Sequence, residues 1–428
     1  MHASVLSPQH WPFSLEWLPK SAYLVGGCVR DALLGYASPY LDLDFVLPEN
    51  PVQTAQAIAR HYRAGFVVLD EARQIARVVF DGATADFALQ VGSTLTEDLQ
   101  RRDFTVNAIA YSPHTQTFVD PLNGQADLKH RLLRMISAEN LQDDPLRLMR
   151  AFRQAAQLSF SVEAKTRAQL HDLAPLLSRV AAERIRVEMS YLLSHTAGTP
   201  WLKALCQDGL LEHSFPQATA SGMVLIEKMD DAEAEIITRW PQMEVLLHRT
   251  LSDRPKSGEG VRRTVFATAK LVGLLPADVA IAKLTLQSMK YSRAEINFVL
   301  MVLTGLAQLQ QELRPNSGSF NSFLSKRQQY SLFRQMREAF PAVVVVAIAS
   351  GLSLVSVAPL IDEYLNPQSP IAHPKPLVTG QALMGALALP SGPMVGKLLL
   401  ALELAQAEGK ISTAQEALTL AQRIYSSG

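Results

Sequence analysis

The sequence has 428 residues, 48% of them hydrophobic, and its 40 Lys and Arg residues balance 40 Asp and Glu residues to a net charge of zero. This length and composition can support several domains with large cores. The zero net charge excludes a globally basic nucleic-acid-binding surface, so any such contact must be local. The two cysteines, Cys28 and Cys206, are too few for a disulfide framework or a metal cluster.

The sequence gives no indication of a membrane segment. Its N-terminus lacks a basic region followed by an apolar run, and the most apolar later stretch, residues 342–349, is far too short to cross a bilayer. The unpaired cysteines fit a reducing compartment. We therefore expect a cytoplasmic protein with no membrane partner.

A strand, a glycine turn and a short helix follow one another near the N-terminus. Tyr23–Val25 predicts a buried strand, and Gly26 and Gly27 let the backbone turn sharply and approach a ligand. A predicted helix at residues 29–34 follows, so its free N–H groups and positive dipole end point towards the turn. The turn is therefore suited to a phosphate group.

The next predicted strand carries two aspartates. Asp42 and Asp44 alternate with apolar residues in LDLDFV, and the strand period of two places both carboxylates on one face. Neighbouring carboxylates repel each other, and a hard divalent cation is the usual remedy. Two solvated acids on a surface strand would show the same pattern, but the adjacent glycine turn favours a metal-binding pair.

The remaining pattern predicts an α+β fold, with a small mixed-sheet head followed by an all-α neck, body and tail. Helical spacing of apolar residues begins near Asp144 and persists to the end of the sequence. Two joints interrupt it, at residues 253–260, rich in charge, Pro and Gly, and at residues 366–376, with four prolines. Within the head, the pattern predicts a helix at Pro51–Tyr62 and strands at residues 65–69, 76–80 and 85–88.

Four linked motifs carry a resemblance to a known family. They are GGCVRD at residues 26–31, LDLD at 41–44, RRDFTVNAIAY at 101–111 and DDPLRLMRAFR at 143–153. In this order they resemble the bacterial class II tRNA nucleotidyltransferases, or CCA-adding enzymes, and their poly(A) polymerase relatives in the polymerase-β-like superfamily. The resemblance is strong over residues 23–193 and weaker over residues 376–424.

The resemblance implies four domains and the partners of the reaction. They are a nucleotidyltransferase head at residues 1–136, a neck with the nucleotide-base template at 137–200, a helical body at 201–365 and a helical tail at 366–428. The implied partners are tRNA, CTP and ATP, and the oligomeric state is not indicated. The tail could bind tRNA, although ordinary packing explains its apolar residues equally well.

The implied chemistry is nucleotide transfer to an RNA end. In this family the RNA 3′-hydroxyl attacks the α-phosphate of a nucleoside triphosphate, and pyrophosphate leaves. The resemblance implies Mg²⁺ ions held by Asp42 and Asp44, which lower the pKa of the hydroxyl and neutralise charge on the phosphate. Asp86 matches a third acidic position, where it could bind metal, help to deprotonate the hydroxyl or order the sheet.

The resemblance also implies a set of nucleotide contacts. Arg102 resembles a triphosphate contact because a guanidinium presents a fixed fork of donors. Asp103 and Asn107 resemble groups that hold a ribose hydroxyl, although Asp103 could instead cap a helix, and Arg30 could simply pair with Asp31. The full predicted set is Gly26, Gly27, Arg30, Arg102, Asp103, Asn107, Asp144, Arg147, Arg150 and Arg153.

Base choice is implied for Asp144 and Arg147. Asp144 can accept from the exocyclic amine that C and A share, and Arg147 can donate to the adjacent ring nitrogen, whereas G and U present the opposite groups. Asp144 followed by Pro145 is also a good helix start, so a capping role is the alternative. Family members usually have Glu-Asp where this sequence has Asp143 and Asp144.

The segment between Asp86 and Arg101 is shorter than in many CCA-adding relatives. The missing part resembles their flexible loop, the element associated with the switch from C to A addition. We expect complete CCA addition first, with CC addition close behind and A addition as a further partial activity. A poly(A) polymerase is a same-chemistry alternative, although the long basic extension of that branch is not in the sequence. A catalytically silent RNA-binding protein is the non-enzyme alternative, and the intact pair Asp42 and Asp44 argues against it.

Charged residues further along are expected to be mainly structural. Glu183, Arg184, Arg186 and Glu188 lie on a helix resembling the neck of the family, which would support the template helix and contact the tRNA backbone. A solvated charged face is expected for most of them. The neighbouring pair at residues 171–172, His-Asp, lacks supporting metal ligands and is interpreted as structural. The histidines are scattered along the sequence and do not predict a zinc site.

Overall fold

The computed structural model describes residues 5–36, 40–251, 263–313 and 324–426. The chain divides into two compact units: Met1–Glu188 with Gln207–His213, and Met189–Cys206 with Ser214–Gly428. The predicted joint at residues 253–260 lies outside the described residues. The predicted joint at residues 366–376 falls between two helices, one ending at Leu365 and the next beginning at Gly380.

The first unit contains the predicted mixed-sheet head. Its strands are β1 (Tyr23–Val25), β2 (Leu41–Leu47), β3 (Gly65–Asp70), β4 (Ile75–Phe80), β5 (Ala83–Leu89), β6 (Ala110–Ser112), β7 (Thr117–Val119), β8 (Leu132–Leu133) and β9 (Ser161–Val162). Its helices are α1 (Gly27–Leu33), α2 (Pro51–Tyr62), α3 (Leu95–Gln100), α4 (Gly124–Lys129), α5 (Ala138–Asp143), α6 (Leu146–Leu158) and α7 (Ala164–Asp172). The helix at Pro51–Tyr62 and the three short strands after it are confirmed.

Seven strands form one sheet in the order β3-β4-β5-β2-β1-β6-β7. The central pair β2 and β5 is parallel, with Asp42 opposite Thr84 and Asp44 opposite Asp86. Strand β4 runs antiparallel to β5 and places Arg77 opposite Asp86. Because paired residues project to the same face of a sheet, this register gathers the acids of two strands and a basic residue of a third.

The opposite face of the central strands forms the core of the head. Phe45 and Phe87, which alternate with the acids, are fully buried and stack with ring centroids 5.2 Å apart. Phe13 stacks on Phe80 at 5.8 Å. Fully burying each phenyl ring contributes about 1.5–3 kcal/mol, so these rings fix the register that positions the acids.

The remaining helices follow in order. They are α8 (Ala182–Ser194), whose residues 182–188 belong to the first unit, α9 (Gly198–Gln207), α10 (Ala220–Arg239), α11 (Gln242–His248), α12 (Val265–Ala269), α13 (Val279–Ser288), α14 (Arg293–Glu312), α15 (Lys326–Met336), α16 (Phe340–Ala349), α17 (Leu354–Leu365), α18 (Gly380–Leu387), α19 (Pro393–Ala407) and α20 (Ala414–Ser426). No strand is found among the described residues of the second unit. The all-α expectation for this part is therefore confirmed where the chain is described.

The second unit packs around an apolar helix. In α16 the four consecutive residues Val343, Val344, Val345 and Val346 are all fully buried, and α10 and α14 pack against this helix. A helix that is apolar on every side is a core helix in a protein of this size. Among the described residues no single helix is long and apolar enough to cross a membrane, and one pair, Val265–Leu274 with Val279–Ser288, passes that test jointly but is bent by 111°.

Candidate active site

The glycine turn, one aspartate and one arginine meet at the end of β1. Gly26 has φ +79°, a conformation that favours glycine, and a Cβ there would lie 3.3 Å from Arg102 Nη1 and 3.7 Å from Asp44 Oδ2. A side chain at this position would therefore crowd Arg102 and lie in van der Waals contact with Asp44. The predicted phosphate turn, metal residue and triphosphate contact form one cluster. Gly27 lies on the first turn of α1, beside the guanidinium of Arg30.

The acids on the sheet face have different partners. Asp42 is exposed and accepts a 2.6 Å hydrogen bond from the hydroxyl of Thr84. Both oxygens of Asp86 accept from Arg77, at 2.7 and 2.8 Å. Asp86 is thus held by a bidentate ion pair, which supports the sheet-ordering alternative for this residue.

Asp44 lies where negative charge accumulates. Burial, reinforced by the carboxylates of Asp42 and Asp86, raises the pKa of Asp44 to about 7, although Arg102 and Arg77 oppose the shift. A cation at this position would relieve the repulsion.

The donor set fits a divalent cation that completes its shell with substrate oxygens. Among the described residues, no group of three or more His, Cys, Asp or Glu side chains is placed to hold a metal ion. Mg²⁺, however, commonly binds one or two carboxylates and takes its other ligands from water and substrate phosphates. The pair Asp42 and Asp44 meets that requirement, whereas both oxygens of Asp86 are already bound to Arg77.

Arg102 is positioned by a buried carboxylate. Asp98, 1% exposed, accepts from Arg102 Nη2 at 3.1 Å and from the backbone N–H of Val91 at 3.0 Å. The Nε of Arg102 is buried and has no hydrogen-bond partner. Burying an unpaired donor is costly, so Arg102 retains capacity for an anionic ligand.

A second network joins α1, the turn after α3, and α6. Arg30 Nη1 donates to Asn107 Oδ1 at 2.7 Å, and Asn107 Nδ2 donates to Asp103 Oδ1 at 2.8 Å. Arg150 closes the network with two 3.0 Å contacts to Asp103 Oδ2. Arg30 also pairs with Asp31 at 2.7 Å, so the simple ion-pair alternative and the network exist together.

Asp103 is ionised within this network. Burial alone would raise its pKa, but Arg150, Asn107 and the backbone N–H of Phe104 outweigh it and lower the pKa to about 2. No side-chain cap is found for the short 3₁₀ turn at Thr105–Asn107. The alternative that Asp103 caps this turn is therefore not what its contacts show.

Asp144, which is predicted to read the base, is held by a residue of α8. Arg184 Nη1 and Nη2 donate to Asp144 Oδ1 and Oδ2 at 3.1 and 2.9 Å. Asp144 Oδ1 also accepts from the backbone N–H of Leu146 at 3.3 Å, so a capping contact is present as well. Burial opposes ionisation of Asp144, but its pairing with Arg184 lowers its pKa overall. The backbone N–H of Arg147 donates to the carbonyl oxygen of Asp144 at 2.9 Å, but no hydrogen bond joins their two side chains among the described contacts.

Arg147 is anchored to backbone carbonyls instead. Its Nη1 donates to the carbonyl oxygens of Arg101 at 2.9 Å and Asn140 at 2.8 Å. Asn140 in turn donates to the carbonyl oxygens of Gln100 at 2.7 Å and Arg102 at 2.8 Å. The predicted base-reading arginine is thereby tied to the backbone that carries Arg102. Burial lowers the pKa of Arg147.

Arg153 belongs to a separate pair. It contacts Glu188 on α8 and donates to Gln157 at 2.6 Å. The solvated face expected for most of the charged neck residues is therefore wrong: Arg186 and Glu188 are buried, while Glu183 and Arg184 are exposed. The reason is that one side of α8 faces the interior of the first unit, where Glu188 meets the guanidinium of α6.

The structure brings most of the predicted residues into two connected groups. Asp144 and Arg153 each pair outside both groups, and Arg147 is joined to them only through backbone carbonyls. Sequence reasoning missed five of the residues that hold these groups: Thr84, Arg77, Asp98, Asn140 and Gln154. Arg184 was named only as part of the neck helix, without its contact to Asp144. Most depend on contacts between distant segments. Gln154 is different, because a polar residue at a buried helix position is itself a signal.

Three family models match the chain. They are the poly A polymerase head domain at residues 22–134, the probable RNA and SrmB-binding site of polymerase A at residues 159–221, and tRNA nucleotidyltransferase domain 2 (putative) at residues 267–421. Together they span the head and much of both helical regions.

Full-length relatives and solved structures agree with these matches. A CC-adding tRNA nucleotidyltransferase of Synechocystis is 44% identical over 97% of this chain and 96% of its own length. An A-adding tRNA nucleotidyltransferase of Deinococcus radiodurans is 32% identical over 95% and 96%. A CCA-adding enzyme in complex with CTP shares the fold with a TM-score of 0.71 at 24% identity, covering 93% of this chain and 90% of the other.

Proposed function

Because the chain belongs to the tRNA nucleotidyltransferase family, we propose that it adds C nucleotides from CTP to the tRNA 3′ end, releases pyrophosphate and stops after CC. The observation that carries this proposal is the short connector between β5 and α3, which has five residues, 90–94. In the family resemblance, this position holds the flexible loop associated with the switch from C to A addition.

The connector is fixed by the helix that follows it. Glu97 accepts from the backbone N–H of Ser93 at 2.6 Å, and Thr94 caps the helix by accepting from Glu97 N at 3.2 Å. Gly92 has φ +85°, and a Cβ there would lie 2.4 Å from Glu97 Oε2. Such a turn has no spare length to rearrange between two nucleotides, which favours a site with one nucleotide preference.

The names of the relatives also support CC addition over the alternative activities. Two that match over most of their length, from Synechocystis at 44% identity and Geobacter sulfurreducens at 32%, are named CC-adding. The A-adding relative of Deinococcus radiodurans at 32% makes A addition the first alternative among partial activities. Complete CCA addition, which the motifs alone favour, is the other alternative.

In the proposed reaction, the side chains of the head orient the triphosphate. The RNA 3′-hydroxyl loses its proton to water, its oxygen forms a bond to the α-phosphorus of CTP, the bond from that phosphorus to the β-phosphate oxygen breaks, and pyrophosphate leaves. Arg102, with its unused Nε, binds the triphosphate beside the Gly26 turn. Asp103 and Asn107 face the ribose, and Arg30 holds Asn107 from behind.

We further propose that Asp42 and Asp44 hold Mg²⁺. When bound, the ion neutralises charge on the triphosphate and favours the ionised hydroxyl. The raised pKa of Asp44 is the observation that fits this donor pair to a cation.

We assign base choice to Asp144 and Arg147. Arg184 engages both oxygens of Asp144, and two backbone carbonyls engage Arg147, so each side chain is held before a base arrives. Oδ1 of Asp144 also accepts from the backbone N–H of Leu146, but Oδ2 accepts only from Arg184 and retains a lone pair for the amine of cytosine, whereas the carbonyl of uracil would oppose it. Preorganised groups of this kind bind the matching base without paying for their own ordering.

The test uses three forms of one tRNA, ending before CCA, after C and after CC. Each is incubated with CTP, ATP or both, and the products are separated at single-nucleotide resolution. The proposal expects CTP to extend the first by two nucleotides and the second by one, with no extension of the third by ATP. Addition of A to the third tRNA would favour complete CCA addition or A addition instead.

A further inference from the structure

A buried glutamine on α6 links the groups that bind the nucleotide. Gln154 is 2% exposed, and its Oε1 accepts from Asn107 Nδ2 at 2.9 Å and from Arg30 Nη1 at 3.4 Å. The three residues lie on α6, on the turn that ends at Asn107 and on α1. We propose that Gln154 is a positioning residue that sets Asn107 and Arg30 for the ribose of the incoming nucleotide, an inference that rests on the proposed function.

The hydrogen bonds of Asn107 determine what it can offer to a ligand. Its amide nitrogen has two hydrogens, one donated to Asp103 Oδ1 and the other to Gln154 Oε1. Its amide oxygen accepts from Arg30 at 2.7 Å. The amide group therefore cannot be reversed, because the oxygen would then face two acceptors. One lone pair of Oδ1 is left, and this lone pair can accept from a ribose hydroxyl.

Gln154 also connects this acceptor to the base-reading end of the same helix. The helix α6 begins at Leu146, next to Asp144, and carries Arg147 on its first turn and Arg150 on its second. Arg150 holds Asp103, and Gln154 holds Asn107, so α6 contacts both of the residues predicted to face the ribose. A nucleotide whose base is read by Asp144 and Arg147 thus meets a ribose site whose position is fixed by the same helix.

The inference predicts a change in sugar selectivity that is separate from base selectivity. Gln154→Met keeps the length of the side chain but removes the acceptor, which leaves one buried hydrogen of Asn107 without a partner. We expect the preference for CTP over 2′-deoxy-CTP, measured as the ratio of kcat/KM, to fall about tenfold. The preference for CTP over UTP should stay within about twofold, because Asp144 and Arg147 are untouched.

Two further variants control this experiment. Gln154→Glu keeps an acceptor oxygen facing Asn107 and should retain the sugar preference of the wild type. Gln157→Met removes the glutamine that accepts from Arg153 on the same helix, and it should leave the sugar preference unchanged. Thermal unfolding of each variant establishes that the chain is folded.

The outcomes separate this inference from the proposed function. An unchanged sugar preference in Gln154→Met would overturn the inference, as would a parallel loss of sugar and base preference in that variant. A wild-type enzyme that extends no tRNA end would instead overturn the proposed function. If the wild type adds A rather than C, the same ratio is measured with ATP and 2′-deoxy-ATP.

Discussion

Arg184 is expected to control base choice without touching the base. Its two terminal nitrogens hold both oxygens of Asp144 at 3.1 and 2.9 Å. In Arg184→Ala the carboxylate keeps only its 3.3 Å contact with the backbone N–H of Leu146 and can rotate away from the amine of cytosine. The preference for CTP over UTP should therefore fall.

The size of the effect follows from the contacts. A well-placed pair of hydrogen bonds to a base edge discriminates by about 1–3 kcal/mol. Loss of orientation in one of the two reading groups should remove about half of that, about 0.5–1.5 kcal/mol, which lowers the ratio of kcat/KM values about two- to twelvefold. Arg184 is about half exposed, so the ion pair itself should contribute less than about 1 kcal/mol to the free energy of unfolding.

The assay measures incorporation of C and U into a tRNA that lacks its CCA end. Arg147→Ala removes one of the two side chains predicted to read the base, and its effect shows how much of the preference for CTP over UTP can be lost. Arg167→Ala is the matched control, because Arg167 makes a similar half-exposed bidentate pair with Asp208, at 2.8 and 3.1 Å. If Arg184→Ala kept the CTP preference within twofold while Arg147→Ala lost it, the orienting role of Arg184 would be refuted.

Two further predictions concern carboxylates in the two units. Asp44→Asn should lower nucleotide incorporation about a thousandfold or more, while tRNA binding, measured by filter binding, persists. If the variant bound tRNA and still incorporated nucleotides rapidly, Asp44 would not be a metal ligand. Burial, only partly offset by Lys270, raises the pKa of Glu233 from 4.5 to about 7. Between these pH values the folded state keeps a proton that the unfolded state loses, so the free energy of unfolding falls as the pH rises through this window. Glu233→Gln should therefore raise the melting temperature at pH 8 by a few degrees, about 1 kcal/mol after allowing for partial exposure, with the gain vanishing towards pH 4.5; an equal gain at both pH values would contradict the assigned cause.

The head could be predicted from local sequence because its signals are local. The strand Tyr23–Val25 and the helix Pro51–Tyr62 have the bounds that their apolar patterns predict. The alternation in LDLDFV separates the acids from Phe45, which stacks in the core. Each of these features needs only a few neighbouring residues to be recognised.

The partners of the site residues could not be predicted in the same way. Thr84 reaches Asp42 only through the register of β5 against β2, which joins residues 42 positions apart in the chain. Arg77 reaches Asp86 through the register of β4 against β5. The burial of Glu188 required knowing which side of α8 faces the first unit. Strand register and helix docking are set by packing over the whole unit, so a single motif does not contain them.

Gln154 could have been identified from the sequence, because it is a polar residue at a helix position where an apolar residue is expected, but the motifs did not include it. It lies three residues after Ala151 and four before Leu158, both buried, so helical spacing places it on the apolar side of α6. A polar side chain at such a position needs a hydrogen-bond partner. That requirement predicts a network, although the identity of Asn107 and Arg30 as partners comes only from the fold.

The mass of the tRNA product tests the proposed function most directly. A tRNA without its CCA end is incubated to completion with the purified protein, CTP, ATP and Mg²⁺, and its intact mass is measured. Because the connector at residues 90–94 is short, the proposal predicts a gain of two cytidylates and no adenylate. A product carrying two cytidylates and one adenylate would contradict the limit to CC, and an unextended tRNA would contradict nucleotide transfer by this chain.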